Sequence, residues 1–272
     1  MPGPIETIDP LCDYLPSGAG GYYSEAWPSN IFLHRSLYRY TFEQCGDVRY
    51  LAGIGRDGRD FVIPSLLRPV AEQRDALRRG GCAANLYPVV ASLAADRFDR
   101  NASDYIYDAA ALRTLDGGDF KDFRYFSRAA EPMVEIRYLP NTPIARAHVA
   151  HVTEIWLAQR EGHDPADTLE IQSLAELERV YDSLGILILY SDGEPVGFSV
   201  FDTWHSDRVL VLFMKDTRVV AGLSYLMMHL LAERFAERHE INMCQDLGIP
   251  GLRKFKLKLR PSEIRNKHLL AI

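Results

Sequence analysis

The order of elements in the second half of the chain most constrains its fold. Residues 186–216 contain three apolar runs at short spacing, ILILYSDGEPVGFSVFDTWHSDRVLVLFMKD, and an Asp-Gly pair at 192–193 separates the first two. This pattern predicts a hairpin followed by a third strand. Apolar residues then recur at helical spacing over 219–239, and EINMCQDLG is typical of a further strand. An antiparallel meander, a crossover helix and a parallel strand together predict an α/β sheet.

The same order of elements occurs in the GNAT acyltransferase fold, which the second half of the chain resembles. In that fold the fourth and fifth strands separate, and the acyl donor lies in the opening between them. The first half also combines helices with a hairpin over a comparable length, which favours a divergent duplicate. We therefore predict an α/β chain of two tandem GNAT-like domains with mixed sheets, residues 1–143 and 144–272. The reactive cleft is expected in the second domain, between residues 185 and 260.

Local patterns predict several elements of the first half. A helix is expected from Ser29 over SNIFLHRSLYRYTFEQ. The turn RDGRD joins two expected strands, and VAEQRDALRRGG is expected to be a helix ended by glycine. Residues 86–98, LYPVVASLAADRF, are expected to be a strand leading into a helix. The first twenty residues are rich in Pro and Gly and are expected to form an irregular arm.

Composition narrows the class of protein. Hydrophobic residues make up 47% of the 272 residues, enough for a well-buried core. No run of eighteen apolar residues occurs, so we expect no membrane span, and we expect no secretory signal. The four cysteines form no CxxC pair, which argues against structural zinc or disulfides and favours a reducing compartment. His148, His151 and His163 lack a metal-binding spacing. We therefore expect a cytoplasmic protein that binds no metal.

The charge is distributed unevenly. The net charge is −6, but the last 22 residues contain seven lysines and arginines and a single acid, so the first 250 residues carry about −12. A concentrated basic segment on an acidic body predicts a local anion site, not a surface that coats nucleic acid. A solvated helix face explains the same charge run, and both interpretations stay open.

The junction MKDTRVVAGLSYL is the first candidate for donor binding. A helix N-terminus offers unpaired backbone N–H groups to phosphates, and glycine lets a ligand approach the backbone closely. We therefore assign Arg218 and Gly222 to the donor. The acetyl-CoA version of this turn reads Gln/Arg-x-x-Gly-x-Gly/Ala, which this junction matches poorly. An ordinary helix start whose glycine serves packing is the alternative.

The second candidate is the segment NMCQDLGIPGLRKFKLKLRP. Asn242 and Asp246 lie where a strand is expected to end, the position at which open α/β sheets bind ligands, and we assign them to catalysis. Arg253, Lys256 and Arg260 would share a helical face that suits phosphates. These three residues and Lys258 are assigned to the donor. A structural Asp246–Arg253 pair that anchors the C-terminus is the alternative.

A third candidate mixes aromatic and basic residues. In FKDFRYFSR, the cations Lys121, Arg124 and Arg128 alternate with aromatic residues, which suits contact with a substrate or with tRNA through stacking and phosphate binding. Amphipathic packing against the core explains the same spacing.

Two stretches resemble motifs of a known family. DYIYDAAALRTLDGGDFKDFRYFSR is similar to a Tyr-x-Tyr…Leu-x-Gly…Phe-x-x-x-Arg pattern, and the segment from Asn242 to an Asn-x-x-x-Asp-x-Gly-x-x-Gly-Leu-Arg-x-x-Lys motif. Both resemble the family that contains the C-terminal catalytic domain of phosphatidylglycerol lysyltransferases, which is built from two tandem GNAT-like domains. The resemblance runs from Ser29 to Lys267. It implies that Asp246, Arg253 and Lys256 line the donor side of the pocket.

The resemblance also implies an activity. Members of this family transfer an aminoacyl group from aminoacyl-tRNA to an amine or a hydroxyl, and some soluble relatives build small natural products. Because we expect no multi-helix membrane portion in this chain, a small soluble acceptor is the expected substrate. The acceptor end of aminoacyl-tRNA is the expected partner, and no bound cofactor is expected. A GNAT-type transferase that uses acyl-CoA and a non-catalytic tandem GNAT fold that binds a ligand are the alternatives.

Overall fold

The chain folds into two compact α/β units in a computed structural model. The structure describes residues 3–17, 23–46, 48–55, 58–82, 84–89, 97–160 and 165–272. The first unit contains Met1–Asp104, Gln245–Gly248 and Arg265–Ile272, and the second contains Tyr105–Cys244 and Ile249–Ile264.

Strands and helices occur along the whole described chain. The strands are β1 (Gly3–Pro4), β2 (Thr41–Cys45), β3 (Val48–Ile54), β4 (Asp60–Ile63), β5 (Asn85–Val89), β6 (Arg97–Phe98), β7 (Asp104–Asp108), β8 (Glu135–Pro140), β9 (Gly185–Ser191), β10 (Glu194–Asp202), β11 (Arg208–Asp216), β12 (Glu240–Asn242), β13 (Glu263–Arg265) and β14 (His268–Ala271). The helices are α1 (Asp9–Tyr14), α2 (Pro28–Leu33), α3 (Arg35–Tyr38), α4 (Val70–Arg79), α5 (Ala109–Thr114), α6 (Lys121–Ala130), α7 (Pro143–Ala158), α8 (Pro165–Ala175), α9 (Leu223–Arg234) and α10 (Pro250–Lys258).

The sheet of the second unit is open on one side of β11. Its strand order is β13-β7-β12-β11-β10-β9-β8. β9, β10 and β11 form the expected antiparallel meander, α9 crosses over, and β12 pairs with β11 in parallel. The parallel ladder joins only the residues 208–210 to 240–242, whereas β11 continues to Asp216. From Val211 onward, no strand of the described residues continues the ladder on this side, and the sheet opens as the sequence predicts.

The sheet of the first unit repeats this plan. Its order is β1-β2-β3-β4-β5-β14-β6, with β2, β3 and β4 as an antiparallel meander, α4 as the crossover and β5 parallel to β4. In both sheets the strand beside the parallel pair comes from a distant part of the sequence: β14 pairs with β5, and β7 pairs with β12. The predicted α/β fold of two tandem GNAT-like domains with mixed sheets is thereby confirmed.

The division between the units differs from the boundary that the sequence predicts near residue 143. The first long segment ends at Asp104, because β7 pairs with β12 and because α5 and α6 pack against α9. The second unit therefore begins at Tyr105. Strand pairing over such sequence distances leaves no local pattern, so the sequence alone does not reveal this division.

The core of the second unit fixes the position of α9. Tyr107, Phe123, Leu226 and Met227 are buried between the sheet and the helices α5, α6 and α9. Burial of one large apolar side chain contributes about 1.5–3 kcal/mol, so these residues hold α9 firmly where β11 ends. No helix of the described residues combines the length and the apolar character needed to cross a membrane.

Some predicted elements have different bounds. The helix expected from Ser29 to residue 44 is interrupted: α3 ends at Arg39, whose φ of 49° is left-handed, and β2 begins at Thr41. Pairing of β2 with β3 along its whole length outweighs the helical pattern there. The expected arm also contains α1. The helix expected within residues 86–98 falls mainly on residues outside the described part of the chain.

Candidate active site at the opening of the second sheet

Asn242 shapes the end of β12. It is buried, pairs in register with Ile106, and its Oδ1 accepts a hydrogen bond of 2.7 Å from the Cys244 N–H. Cys244 has a left-handed φ of 55°, and its Sγ donates to the Val211 carbonyl at 3.5 Å, just beyond the end of the parallel ladder. Asn242 therefore holds the turn that leaves the strand. In this geometry it positions the backbone at the opening, and its catalytic assignment stays a prediction.

Lys256 attaches α10 to the same strand end. Its side chain is buried, and Nζ donates to the carbonyls of Met243 at 2.6 Å and Cys244 at 3.2 Å. The ammonium group lies 5.5 Å from the centre of the Tyr105 ring, and the Tyr107 hydroxyl donates to the Lys256 carbonyl at 2.9 Å. Main-chain acceptors thus engage the ammonium group. Its assignment to donor phosphates stays a prediction.

The other cations of this segment differ in exposure. Lys254 and Lys258 of α10 are exposed, as is Arg260 beyond its end, and Arg253 is half-buried. Arg260 lies 3.5 Å from the Asp119 carboxylate, in a contact between two exposed side chains that is worth little in stability. Lys254 and Lys258 therefore carry exposed positive charge on the helix that Lys256 anchors at the strand end.

A carboxylate occupies the N-terminus of α9. Asp216, the last residue of β11, accepts hydrogen bonds from the Ser224 hydroxyl at 2.5 Å and from the Arg218 N–H at 3.0 Å. Arg218 is exposed and has a left-handed φ of 58°. Helix N-termini stabilise anions, and here the protein supplies its own. Donor phosphates at this position would meet a negative charge.

Gly222 is required by packing within the second unit. Its φ is 93°, and a Cβ at this position would lie 2.7 Å from the Phe126 carbonyl oxygen. The backbone that approaches Gly222 closely is therefore that of α6. The packing interpretation of this glycine accounts for its conformation, and donor binding by Gly222 stays a prediction.

The three cations of α6 separate into two groups. Arg124 donates through Nη1 to the carbonyls of Leu115 and Gly117, where α5 has ended, so it stabilises a turn. Lys121 and Arg128 are exposed. The structure thus keeps Lys121 and Arg128 available to a substrate and uses Arg124 internally.

Asp246 belongs to the first unit. It is fully buried, its Oδ1 accepts from the Gly248 N–H at 2.8 Å, and its Oδ2 lies 3.4 Å from Arg100 Nη1. Arg253 and Lys256 belong to the second unit. Within the first unit, Asp246 therefore forms an ion pair with Arg100. Its role in catalysis stays a prediction.

Sequence reasoning missed a buried charge cluster in the first unit. The Lys267 ammonium lies 2.7 Å from Glu25 Oε2 and 2.7 Å from Asp104 Oδ1, and it donates to the Ser24 hydroxyl at 2.9 Å. Gln245 Nε2 donates to Glu25 Oε1 at 2.9 Å. The sequence placed Lys267 in the basic tail, and nothing in its spacing distinguishes it from the exposed lysines, because its partners lie in the first half of the chain.

The cluster contains two carboxylates, Glu25 and Asp104, and one ammonium group, Lys267. This composition shifts the pKa values of Glu25 and Lys267. Burial raises the pKa of the Glu25 carboxyl; the Lys267 ammonium opposes that rise, and the Asp104 carboxylate adds to it. Burial by itself would lower the pKa of Lys267, but the two carboxylates raise it above its ordinary value. Ionisation of Glu25 therefore costs the fold free energy.

We expect the Glu25→Gln variant to lose a pH dependence of stability. Because the folded-state pKa of Glu25 is raised, the folded protein holds a proton that the unfolded chain has lost, from about pH 4.3 up to the folded-state pKa. Wild-type stability therefore falls as the pH rises through this window. Urea unfolding between pH 4.5 and 7.5 measures the fall, which should be absent in Glu25→Gln and present in the exposed Glu72→Gln control. An equal slope in all three proteins would contradict this prediction.

Comparison with solved structures identifies proteins of similar fold. A conserved protein of unknown function from Bacteroides thetaiotaomicron is 21% identical, with 97% of this chain and 96% of that chain covered and a TM-score of 0.73. L-PGS from Bacillus licheniformis is 17% identical, with 97% and 90% covered and a TM-score of 0.62. The C-terminal domain of a putative lysylphosphatidylglycerol synthetase from Agrobacterium fabrum is 18% identical, with 89% and 86% covered and a TM-score of 0.59.

Comparison of the sequence with known proteins and protein families gives a match to one family. None of the curated proteins matches this chain significantly. The family model described as "Phosphatidylglycerol lysyltransferase, C-terminal" matches residues 29–271, which is most of the chain. The matched residues include both stretches whose motifs resemble this family. The chain therefore belongs to the family of phosphatidylglycerol lysyltransferase C-terminal domains.

Proposed function

We propose that this protein is an acyltransferase that moves an aminoacyl group from aminoacyl-tRNA to an amine or hydroxyl of a small soluble acceptor. The observation that carries the proposal is the position of α10. Lys256 holds this helix at the strand end where the second sheet opens, and the helix directs Lys254 and Lys258 outward beside the opening. Family membership over residues 29–271 supports the reaction class.

The reaction requires little chemistry from the protein. The acceptor nitrogen or oxygen attacks the carbonyl carbon of the aminoacyl ester and forms the new bond. The ester bond to the tRNA ribose then breaks, and the ribose hydroxyl leaves with the proton that the nucleophile gives up. Because the ester is already activated, alignment of the reactants and stabilisation of the developing oxyanion supply most of the rate. The proposal therefore needs no bound cofactor or metal.

The charges at the opening favour tRNA over acyl-CoA as the donor. The Asp216 carboxylate occupies the N-terminus of α9, where the diphosphate of a CoA donor would otherwise bind. The exposed cations lie instead on α10 and α6. Because the whole chain carries −6, contact is expected only with the acceptor end of the tRNA, in the cytoplasm where charged tRNA occurs.

Donor consumption tests the proposal directly. The purified protein is incubated with a mixture of charged tRNAs and, separately, with acetyl-CoA, each with a panel of small amines and alcohols. We expect discharge of tRNA above the rate of spontaneous ester hydrolysis and no consumption of acetyl-CoA. Consumption of acetyl-CoA alone would establish the acyl-CoA alternative. Consumption of neither donor would overturn the transferase proposal in favour of a ligand-binding fold.

Charge reversal on α10 is expected to weaken tRNA binding. Lys254→Glu combined with Lys258→Glu should reduce the affinity about tenfold or more at 0.1 M salt and lower the slope of log affinity against log salt by about 1.4, since each lost phosphate contact removes about 0.7. Arg78→Glu combined with Arg79→Glu, exposed at the end of α4, is the matched control. Equal affinities for both double variants would show that α10 does not contact the tRNA.

A further inference from the structure

Helix α6 presents an exposed stripe that core packing does not use. Lys121, Tyr125 and Arg128 follow one another at spacings of four and three residues, so they lie on one face of the helix. The side chain of Tyr125 is 68% exposed, and both cations are exposed. Phe123 and Ser127 lie on the buried face. We refer to Lys121, Tyr125 and Arg128 as the α6 stripe.

The stripe is held in place by the aromatic residues beneath it. The Tyr125 ring meets the Phe126 ring edge-on at 5.4 Å, and Phe126 stacks on Tyr225 of α9 at 5.5 Å. Arg124 is bound to the carbonyls that follow α5. Among the described residues, neither Lys121 nor Arg128 has an ion-pair partner. The Tyr125 ring thus contacts the Phe126 ring but leaves most of its surface exposed between two cations.

The stripe shares a surface with the α10 cations. The contact of Arg260 with Asp119 joins the end of α10 to the segment that precedes α6. Tyr225 also meets the Phe255 ring of α10 at 6.1 Å, so α6, α9 and α10 are neighbours around one side chain. A strand of nucleic acid on α6 therefore lies next to the helix that Lys256 anchors at the opening.

We propose that the α6 stripe binds the unpaired nucleotides at the 3′ end of the tRNA. A base stacks on Tyr125, and Lys121 and Arg128, about 10 Å apart along the helix, contact the flanking phosphates. Stacking requires an unpaired base with an accessible face, which the single-stranded 3′ end offers and a duplex does not. The inference rests on the proposed function. It adds which part of the tRNA donor the protein recognises.

Binding of uncharged tRNA, measured by fluorescence anisotropy, tests the stripe. Since stacking on an aromatic residue is worth about 1–3 kcal/mol per base, Tyr125→Ala should weaken binding about 5- to 150-fold, and Tyr125→Phe should stay within about twofold of wild type. Lys121→Ala with Arg128→Ala should lower the salt slope by about 1.4. Phe98→Ala, at an exposed aromatic of the first unit, should leave binding unchanged.

The tRNA substrate itself provides the second arm of the test. A tRNA lacking its unpaired 3′ nucleotides should bind wild type as weakly as complete tRNA binds Tyr125→Ala, and the Tyr125→Ala change should not weaken its binding further. If the loss of affinity from Tyr125→Ala adds to the loss from removing the 3′ nucleotides, the 3′ end binds elsewhere and the inference is overturned. Loss of binding to anionic lipid vesicles in the stripe variants, with unchanged tRNA binding, would identify a membrane contact and also overturn it.

The outcomes separate the inference from the proposed function. If wild type discharges charged tRNA and Tyr125→Ala does so with unchanged affinity, the inference fails and the proposed function stands. If wild type binds tRNA through Tyr125 without discharging it to any acceptor, the inference stands and the transferase proposal fails. Because all three stripe residues are exposed, the variants should keep the thermal midpoint of wild type, which ensures that lost binding reports on contact.

Discussion

Replacing Lys267 with methionine is expected to lower the free energy of unfolding by about 3–5 kcal/mol, because this change leaves two buried carboxylates without their cation. The Lys267 ammonium lies within 2.7 Å of Glu25 and of Asp104, and all three side chains are buried. Methionine has a similar length, so the loss reports on charge and not on a cavity. Urea or guanidinium unfolding at pH 7 measures it.

The pH dependence of this loss has a definite sign. Since the folded-state pKa of Lys267 is raised, its contribution is fully present below the pKa of an unfolded lysine, about 10.4, and is lost as the pH rises above that value. At low pH the difference between Lys267→Met and wild type should also shrink, because protonation of Glu25 removes its negative charge. The destabilisation is therefore expected to be largest near neutral pH.

Two further variants show whether charge causes the loss. Lys254→Met, at an exposed position of α10, should change the unfolding free energy by less than about 0.5 kcal/mol. Adding Glu25→Gln and Asp104→Asn to Lys267→Met should restore much of the lost stability, since no unpaired charge then remains buried. A loss below about 1 kcal/mol in Lys267→Met, or a triple variant less stable than the single one, would contradict this account.

The fold of the second unit was predictable because its signals are local. The Asp-Gly turn at 192–193, the apolar runs on either side of it and the helical periodicity after 219 each act over fewer than twenty residues, and together they specify the meander and its crossover. The opening beside β11 follows from the same topology. The family resemblance, which rested on longer motifs, is confirmed as well.

The unit boundary was not predictable because it depends on pairing between distant segments. β7 lies early in the chain but pairs with β12, and β14 ends the chain but pairs with β5. Each strand is short, and its sequence does not specify a partner. Periodicity shows that such a strand exists, whereas its neighbours in the sheet are decided by packing over the whole chain.

The sequence predicts a candidate site but not the burial of its side chains. The segment from Asn242 to Arg260 forms the strand end and the helix beside the opening, and its part in binding and catalysis stays a prediction. The sequence does not show that Lys256 is buried and Lys258 exposed, because the two lysines lie two residues apart on the same basic helix. Burial depends on what the rest of the unit places against each side chain, here Tyr105 and the carbonyls after β12.

The pair Lys256 and Lys258 offers a direct comparison of an anchoring cation with an exposed one. Lys256→Met is expected to lower the free energy of unfolding by about 2–4 kcal/mol, because it removes charge-assisted hydrogen bonds to the carbonyls of Met243 and Cys244 and leaves buried acceptors unsatisfied. Lys258→Met removes the same charge from the surface and should cost less than about 0.5 kcal/mol. Chemical unfolding of both variants under identical conditions measures the difference.

Binding separates the two lysines in the opposite direction. At a temperature where both variants are folded, Lys258→Met should lower the salt slope of tRNA binding by about 0.7, the loss expected for one phosphate contact. Lys256→Met should weaken binding with an unchanged salt slope, because α10 shifts at the opening but no exposed charge is lost. If instead Lys256→Met keeps wild-type stability and lowers the salt slope, its ammonium group leaves the two carbonyls to contact phosphate, and the assignment of Lys256 to the donor is correct.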